Sequence, residues 1–437
     1  MADTQRLDEL TSILQRTRGA DEWVARTDQV RTITRHIGAA RETCLAETTT
    51  LHAQLYRDLR RGRGTAGFVA RADQDDLAER VAAAADRAQN NVDVSWRMPL
   101  PAAPARVAIV DEEAFADPVD AVDQVTQELL DAASAARVVL TRFTVSLEAG
   151  EIELRTSGLF ASHYRYTRVN VAALLAPDSG GPGTVARLVR RARRPTDLGL
   201  TIAVDVAATR ARDRAAAAQL APGVYDVVFP GEVTIGDDAT RYGLWDPLVG
   251  QSSATLARQG LSRFHIGHQL LPAAGGGDPL TLRSDGTIAY GLYSAPFGEL
   301  GEPVRAFDLL RDGAAAGHPL DLREAALRRV TPNGGVRNLV IDSGSTPAAA
   351  LRRPVHRPLL ELAELAWLDT DPRTGTFVAE IALGVALIDE RREPVTGGAL
   401  RGNVFDLLSR ARRSRERVAD AWYHGPAWLR VDDLTID

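Results

Sequence analysis

Only two of the eight histidines stand close together, in the run His265-Ile266-Gly267-His268. Imidazoles three residues apart can share one face of a helix and hold a metal ion between them. A hydrolytic site built this way also carries a glutamate, as in HExxH, to take a proton from the metal-bound water. Here Gly267 lies between the rings and no acidic residue follows in that manner, so the pattern favours a structural or cleft-lining place over a metal role. His424, between Tyr423 and Gly425, reads as a surface or packing residue. His36, His52, His163, His318 and His356 have no partner within motif distance.

Nucleophilic chemistry is no better provided. Gly344-Ser345 and Gly250-Gln251-Ser252-Ser253 lie in turn-like sequence, and neither completes a G-x-S-x-G elbow. The single cysteine, Cys44, excludes an internal disulfide and a thiolate zinc cluster; its strand-like surroundings predict a buried, inert thiol. Gly275-Gly276-Gly277 is a loop and not a phosphate cradle, which would need a lysine, and the chain has none. Asp237 and Asp238 could bind a cation, but an acidic surface turn explains them equally. The arginines of Arg187 to Arg194 read as the solvated face of a helix.

The elements that would position these residues follow from periodicity. Leu7, Leu10, Ile13 and Leu14 recur at helical spacing, and apolar and polar residues alternate at Val30 to Ile37 and at Thr48 to Leu55, as in strands with one wet face. Asp73 to Asn91 predicts a helix with an acidic first turn. Met98-Pro99-Leu100-Pro101-Ala102-Ala103-Pro104 cannot sustain a helix and marks a linker. A helix over Val119 to Ala136 and strands over 137–147 and 152–159 then begin a second unit. Pro177 to Gly183 is a loop, and a helix over Ala207 to Leu220 ends at Ala221-Pro222-Gly223. Beyond it, short apolar runs separated by Gly, Pro and Asp predict β structure, with Asp371 to Gly375 and Gly397-Gly398 as reversals. No internal repeat of fixed period is visible.

The expected fold class is therefore α+β, in three parts. Two small α/β subdomains, 1–98 and 105–220, precede a large, mostly antiparallel β domain, 222–437. A chain of 437 residues is too long for one ordinary core. A formal net charge of −6 argues against a nucleic-acid surface. No apolar stretch approaches the roughly 20 residues that cross a bilayer, and the polar N-terminus does not read as a signal peptide. No membrane or nucleic-acid partner is expected, and the cytoplasm is the expected location.

The order of several short motifs is similar to that of one peptidase family. Asp371, Pro372, Thr374 and Gly375 form a turn of the NPxTG type. Pro394, Val395, Gly397, Gly402 and Asn403 follow as in PVxGxxIAGN, and Leu434-Thr435-Ile436 closes the chain as LTV does. Upstream, 221–229 resembles PGxYPVVF and 336–341 resembles PTNLVL, while 285–303 occupies the place of a GxxSRPFDDEGxPT segment. Residues 61–70 are similar to GRxGFA, and Ser157, Gly158, Phe160 and Tyr164 to NSxGFxGSYxxT. These resemble the TldD/PmbA (TldE) family of modulators and metallopeptidases.

Catalytic members of that family carry an HExxxH helix after the PVVF strand and a cysteine near the C-terminus. The corresponding stretch here, Gly231 to Trp245, has no histidine, and Arg412 to Leu429 offers His424 but no thiol. The resemblance thus implies a TldE/PmbA-type subunit with no catalytic, cofactor or metal residues of its own. It would shape a peptide-binding chamber for a zinc-bearing TldD-type subunit that cleaves peptides or peptide-like metabolites. Two alternatives remain open: a self-sufficient homo-oligomeric hydrolase with a site rearranged around His265 and His268, and a peptide-binding protein without peptidase activity.

Overall fold

The computed structural model describes residues 2–38, 40–98, 101–177, 184–235, 242–272, 274, 276–388 and 391–437. Asp237, Asp238, Gly275 and all but the first residue of the 177–183 loop lie outside them. The N-terminal half runs α1 (Ala2–Arg16), β1 (Glu22–Ile37), β2 (Arg41–Leu59), β3 (Gly62–Arg71), α2 (Leu77–Ala88) and β4 (Val92–Asp93). It continues with α3 (Glu112–Ala116), α4 (Pro118–Ala135), β5 (Val138–Thr156), β6 (Ala161–Pro177), β7 (Ala186–Ala192) and α5 (Leu200–Ala216).

All seven strands form one sheet in the order β4-β3-β2-β1-β5-β6-β7. The two expected subdomains are therefore joined: β1 pairs antiparallel with β5 from Val24↔Thr156 to Ile37↔Phe143. Each half keeps its own core. Leu7, Leu10 and Leu14 of α1 and Val81 of α2 pack on Trp23, Leu51 and Leu55, while Val122, Val125 and Leu129 of α4 pack on Val145, Leu147 and Val171. Along the strands these core residues are the odd-numbered ones, because successive side chains alternate across a sheet. The long helices consequently lie on one face, and the even positions of β1, β2 and β6 place Arg26, Asp28, His52, Tyr164 and Tyr166 on the other.

Outward from β1 and β5 the pattern helix, three strands, helix occurs twice, an internal duplication of topology. The sequence shows no period because only apolar alternation has to recur, not residue identity.

Two expectations are revised. The strands expected at 137–147 and 152–159 are one 19-residue strand, β5, shifted in register only between Leu140 and Arg142. The basic run read as helical is β7, the outer strand of the sheet, with Ala186, Leu188 and Ala192 buried. Pairing with β6 from Val169↔Ala192 to Leu175↔Ala186 overrides the helical tendency of its Arg, Leu and Ala residues.

After β8 (Ala218–Gln219) the chain enters a closed ring of strands. β14 (Leu359–Thr370), β9 (Gly223–Pro230), β21 (Trp428–Ile436), β17 (Ala399–Asn403) and β15 (Thr376–Ile388) pair in that order, and β15 pairs back to β14. β16 (Arg391–Thr396) and β8 extend the sheet, and β18 (Arg412–Arg413) pairs with β21. A second sheet orders β12 (Ala314–Ala315), β11 (Phe307–Arg311), β10 (Leu282–Asp285), β13 (Asn338–Ile341), β20 (Tyr423–Pro426) and β19 (Arg417–Asp420). The charged run after Ser409 forms β18 and β19. Trp245, Phe264, Trp422 and Tyr423 sit in the shared core.

The turn between β14 and β15 shows how the local motifs fold. The Asp371 carboxylate accepts from the Arg373 amide at 2.8 Å and the Thr374 hydroxyl at 2.7 Å, and Gly375 adopts φ +79°. A Cβ on Gly375 would strike the Phe405 ring. Asn403 caps the following helix by accepting from the Phe405 amide at 3.0 Å, and donates to the Thr374 carbonyl at 2.9 Å. Among the described residues no helix is long and apolar enough to cross a membrane.

Candidate functional site

A groove of about 410 Å³ opens between β7 and α5 of the N-terminal half and β14, β19 and the turn Gly231–Ile235 of the C-terminal half. Each wall has a sequence origin. β7 is an outer strand, so among the described residues one of its edges has no strand partner. β14 shifts register three times between Leu362 and Trp367. Such irregularities bend a strand and re-aim its side chains, and they bring Leu365 and Trp367 to the groove.

Three arginine–carboxylate pairs tie the halves together around it. Arg190 meets Asp420 at 2.6 Å, Arg214 meets Glu364 at 2.9 Å, and Arg210 pairs with Glu232. In each case the cation comes from the N-terminal half and the anion from the C-terminal half. Burial pushes the Asp420 carboxyl up to about 6, with the Arg190 charge opposing. Burial likewise raises Glu364 against the pull of Arg214. Between these pairs the lining is apolar and open: Ile202 is 74% exposed, Trp367 42% and Val206 40%.

The groove borders the turn that follows β9, the place to which the resemblance assigns a metal-binding helix. Here Gly231–Ile235 is a 3₁₀ turn, and its one acidic residue, Glu232, is engaged by Arg210. These residues do not fit a catalytic zinc, which needs three protein ligands and an open position. Among the described residues no three His, Cys, Asp or Glu side chains come together in a way that could hold a metal.

The structure separates the other candidates. His265 and His268 occupy a turn and not a helix: the His268 amide donates to the His265 carbonyl at 2.9 Å, and Gly267 has φ +85°. Their rings lie 5.4 Å apart, exposed. His424 is on β20, half-buried, and burial together with the nearby Arg417 charge lowers its pKa, favouring the neutral ring. His318 contacts the Ser252 carbonyl through Nδ1 at 2.7 Å. Ser252 donates to the Val249 carbonyl at 2.7 Å, and Ser253 caps the helix Ala254–Arg258. Cys44, expected to be buried, is exposed on β2. The hairpin end Arg41–Thr48 extends beyond the helical cores, so neither face of the strand is covered there.

Sequence reasoning did not find the groove. Its only local trace is the cluster of arginines on β7; the carboxylates that pair with this half come from distant segments.

The geometry describes a class of protein: a seven-stranded sheet with helices on one face, followed by a β-rich domain built on a closed ring of strands. Solved structures share it over the full chain. TldE from Thermococcus kodakarensis superposes with a TM-score of 0.80 at 15% identity, covering 100% of both chains. A protein described as a candidate modulator of a DNA gyrase, from Thermotoga maritima, gives 0.79 at 16%, covering 99% of this chain and 100% of that one. A counterpart from Bacteroides thetaiotaomicron gives 0.77 at 14%, covering 99% and 98%. Residues 222–437 match the PmbA/TldA metallopeptidase C-terminal domain. The chain belongs to the TldD/PmbA family. No curated protein sequence matches it.

Proposed function

We propose that this chain is the non-catalytic, TldE-type subunit of a heteromeric zinc metallopeptidase, shaping the peptide chamber for a partner that carries HExxxH. The observation that carries this reading is the turn after β9. The family frame is kept on both sides of it, yet Gly231 to Trp245 contains no histidine, and Glu232 is taken up by Arg210. Zinc and the attacking water belong to the partner. This chain contributes walls, a strand edge and exclusion of water.

The test is co-expression with a family subunit that has an intact HExxxH, followed by size exclusion, metal analysis and peptidase assay of each chain alone and together. The expected result is a heteromer whose zinc content and cleavage both require the partner. Stoichiometric zinc and peptide cleavage by this chain alone would overturn it. Absence of both zinc and association would instead favour a peptide-binding protein of a single chain type.

A further inference from the structure

We infer that the groove between β7 and β14 is a side-chain-selective subsite, taking an extended peptide segment that carries a large apolar side chain next to a carboxylate. This rests on the peptide-handling role proposed above and adds to it the class of peptide.

Backbone recognition comes from β7. β6 pairs with one of its edges, and among the described residues no strand pairs with the other, while 187–191 line the groove, so an added strand would extend the sheet there. Apolar selectivity comes from Ile202, Val206 and Trp367. Their exposure in one concavity is unusual for side chains of this size, and such a patch marks a binding surface. The Trp367 ring is fixed beforehand, because its indole N–H donates to Glu380 at 2.6 Å; a pre-ordered aromatic loses little freedom on binding. A volume of about 410 Å³ lies in the range of ligand pockets.

Charge sets the remaining preference. Asp420, Glu364 and Glu232 are each neutralised by an arginine. Arg187, exposed on β7 and lining the same groove, adds a further positive charge, which also reaches Glu364. The charge left over is positive, which complements an acidic side chain or a terminal carboxylate beside the apolar one.

The test uses the full chain without a partner and fluorescein-labelled decapeptides followed by anisotropy. One has a central Phe-Glu, the others Ala-Glu and Phe-Lys, and a fourth is the Phe-Glu peptide N-methylated on alternate amides. Phe-Glu is expected to bind about tenfold tighter than each of the others. Trp367→Ala and the surface change Ile202→Ser should each weaken it about tenfold, with circular dichroism unchanged. Arg187→Glu should reverse the preference towards Phe-Lys. Equal binding of all four peptides, or full binding by the folded Trp367→Ala and Ile202→Ser chains, would overturn the proposal. So would a dimer of this chain that Ile202→Glu disperses and that peptides do not compete with, since a second copy would then be the occupant. A heteromer without peptide selectivity removes this inference alone; selectivity without any heteromer removes the subunit reading alone.

Discussion

Arg190 on β7 and Asp420 on β19 meet at 2.6 Å across the boundary between the N-terminal sheet and the C-terminal domain, with side chains 22% and 13% exposed. The pair closes one side of the groove. Burial leaves the carboxyl easier to protonate than a free one, at about 6 in place of 3.8. A raised carboxyl pKa means that the native state holds the proton more tightly than the unfolded chain. Its contribution is thus fully present below about 3.8 and is lost as pH rises through about 6.

Asp420→Asn is therefore expected to flatten the pH dependence of stability in that window. The difference between wild type and variant should change by about 2 kcal/mol from pH 4 to pH 7. Urea denaturation at several pH values measures it. Glu364, also raised, acts in the same direction in both proteins and cancels from the comparison. An unchanged slope would show that Asp420 is ordinary.

Arg193 is buried with no carboxylate paired to it among the described residues. Its guanidinium donates to the carbonyls of Ser294, Thr167 and Gly291 at 3.0, 3.3 and 3.4 Å, and burial lowers its pKa to about 10, still charged at neutral pH. Arg193→Met removes all three bonds, leaving the Gly291 carbonyl only its bond from the Ser294 amide at 3.0 Å, and should cost about 2–4 kcal/mol. Arg193→Lys should not restore it, since an ammonium lacks the planar fork. Faster amide exchange in 288–294 would show that the loss lies at this junction.

Gly150 on β5 faces Tyr166 on β6, and a Cβ there would overlap the phenol ring. Gly150→Ala must displace the ring and is expected to destabilise by about 1–3 kcal/mol. Thermal melting and the near-ultraviolet tyrosine signal report the two effects together.

Asn403 joins the β14–β15 turn to the helix Val404–Arg410 through bonds of 3.0 Å and 2.9 Å. Loss of both in Asn403→Ala should lower stability by about 1–2 kcal/mol. Asn403→Asp keeps the cap but not the donor to Thr374, so denaturant titration should place it between the two.

Local chemistry was legible where a few adjacent residues decide the outcome. The Asp371–Gly375 turn, the Gly397-Gly398 reversal and the α1 and α4 helices follow from residues within one turn of each other. Gly397 and Gly398 have φ of +81° and +88°, a region that side chains with a Cβ rarely occupy. The basic run at Arg187 to Arg194 was misread because arginine, leucine and alanine favour a helix. A neighbouring strand, β6, offered a ladder that local propensity does not register. Cys44 was misread for a related reason: its strand continues past the helices that would have buried it.

The sequence by itself determined the family resemblance, the turn and cap residues, and the lack of histidine after β9 and of a thiol near the C-terminus. Tertiary structure decided that the two N-terminal units share one sheet, that β7 lies at the end of its strand order, and that Arg190 finds Asp420 across 230 residues of chain. Alternation tells a strand which face to bury but not which strand lies beside it, and an ion pair between distant segments leaves no spacing to read.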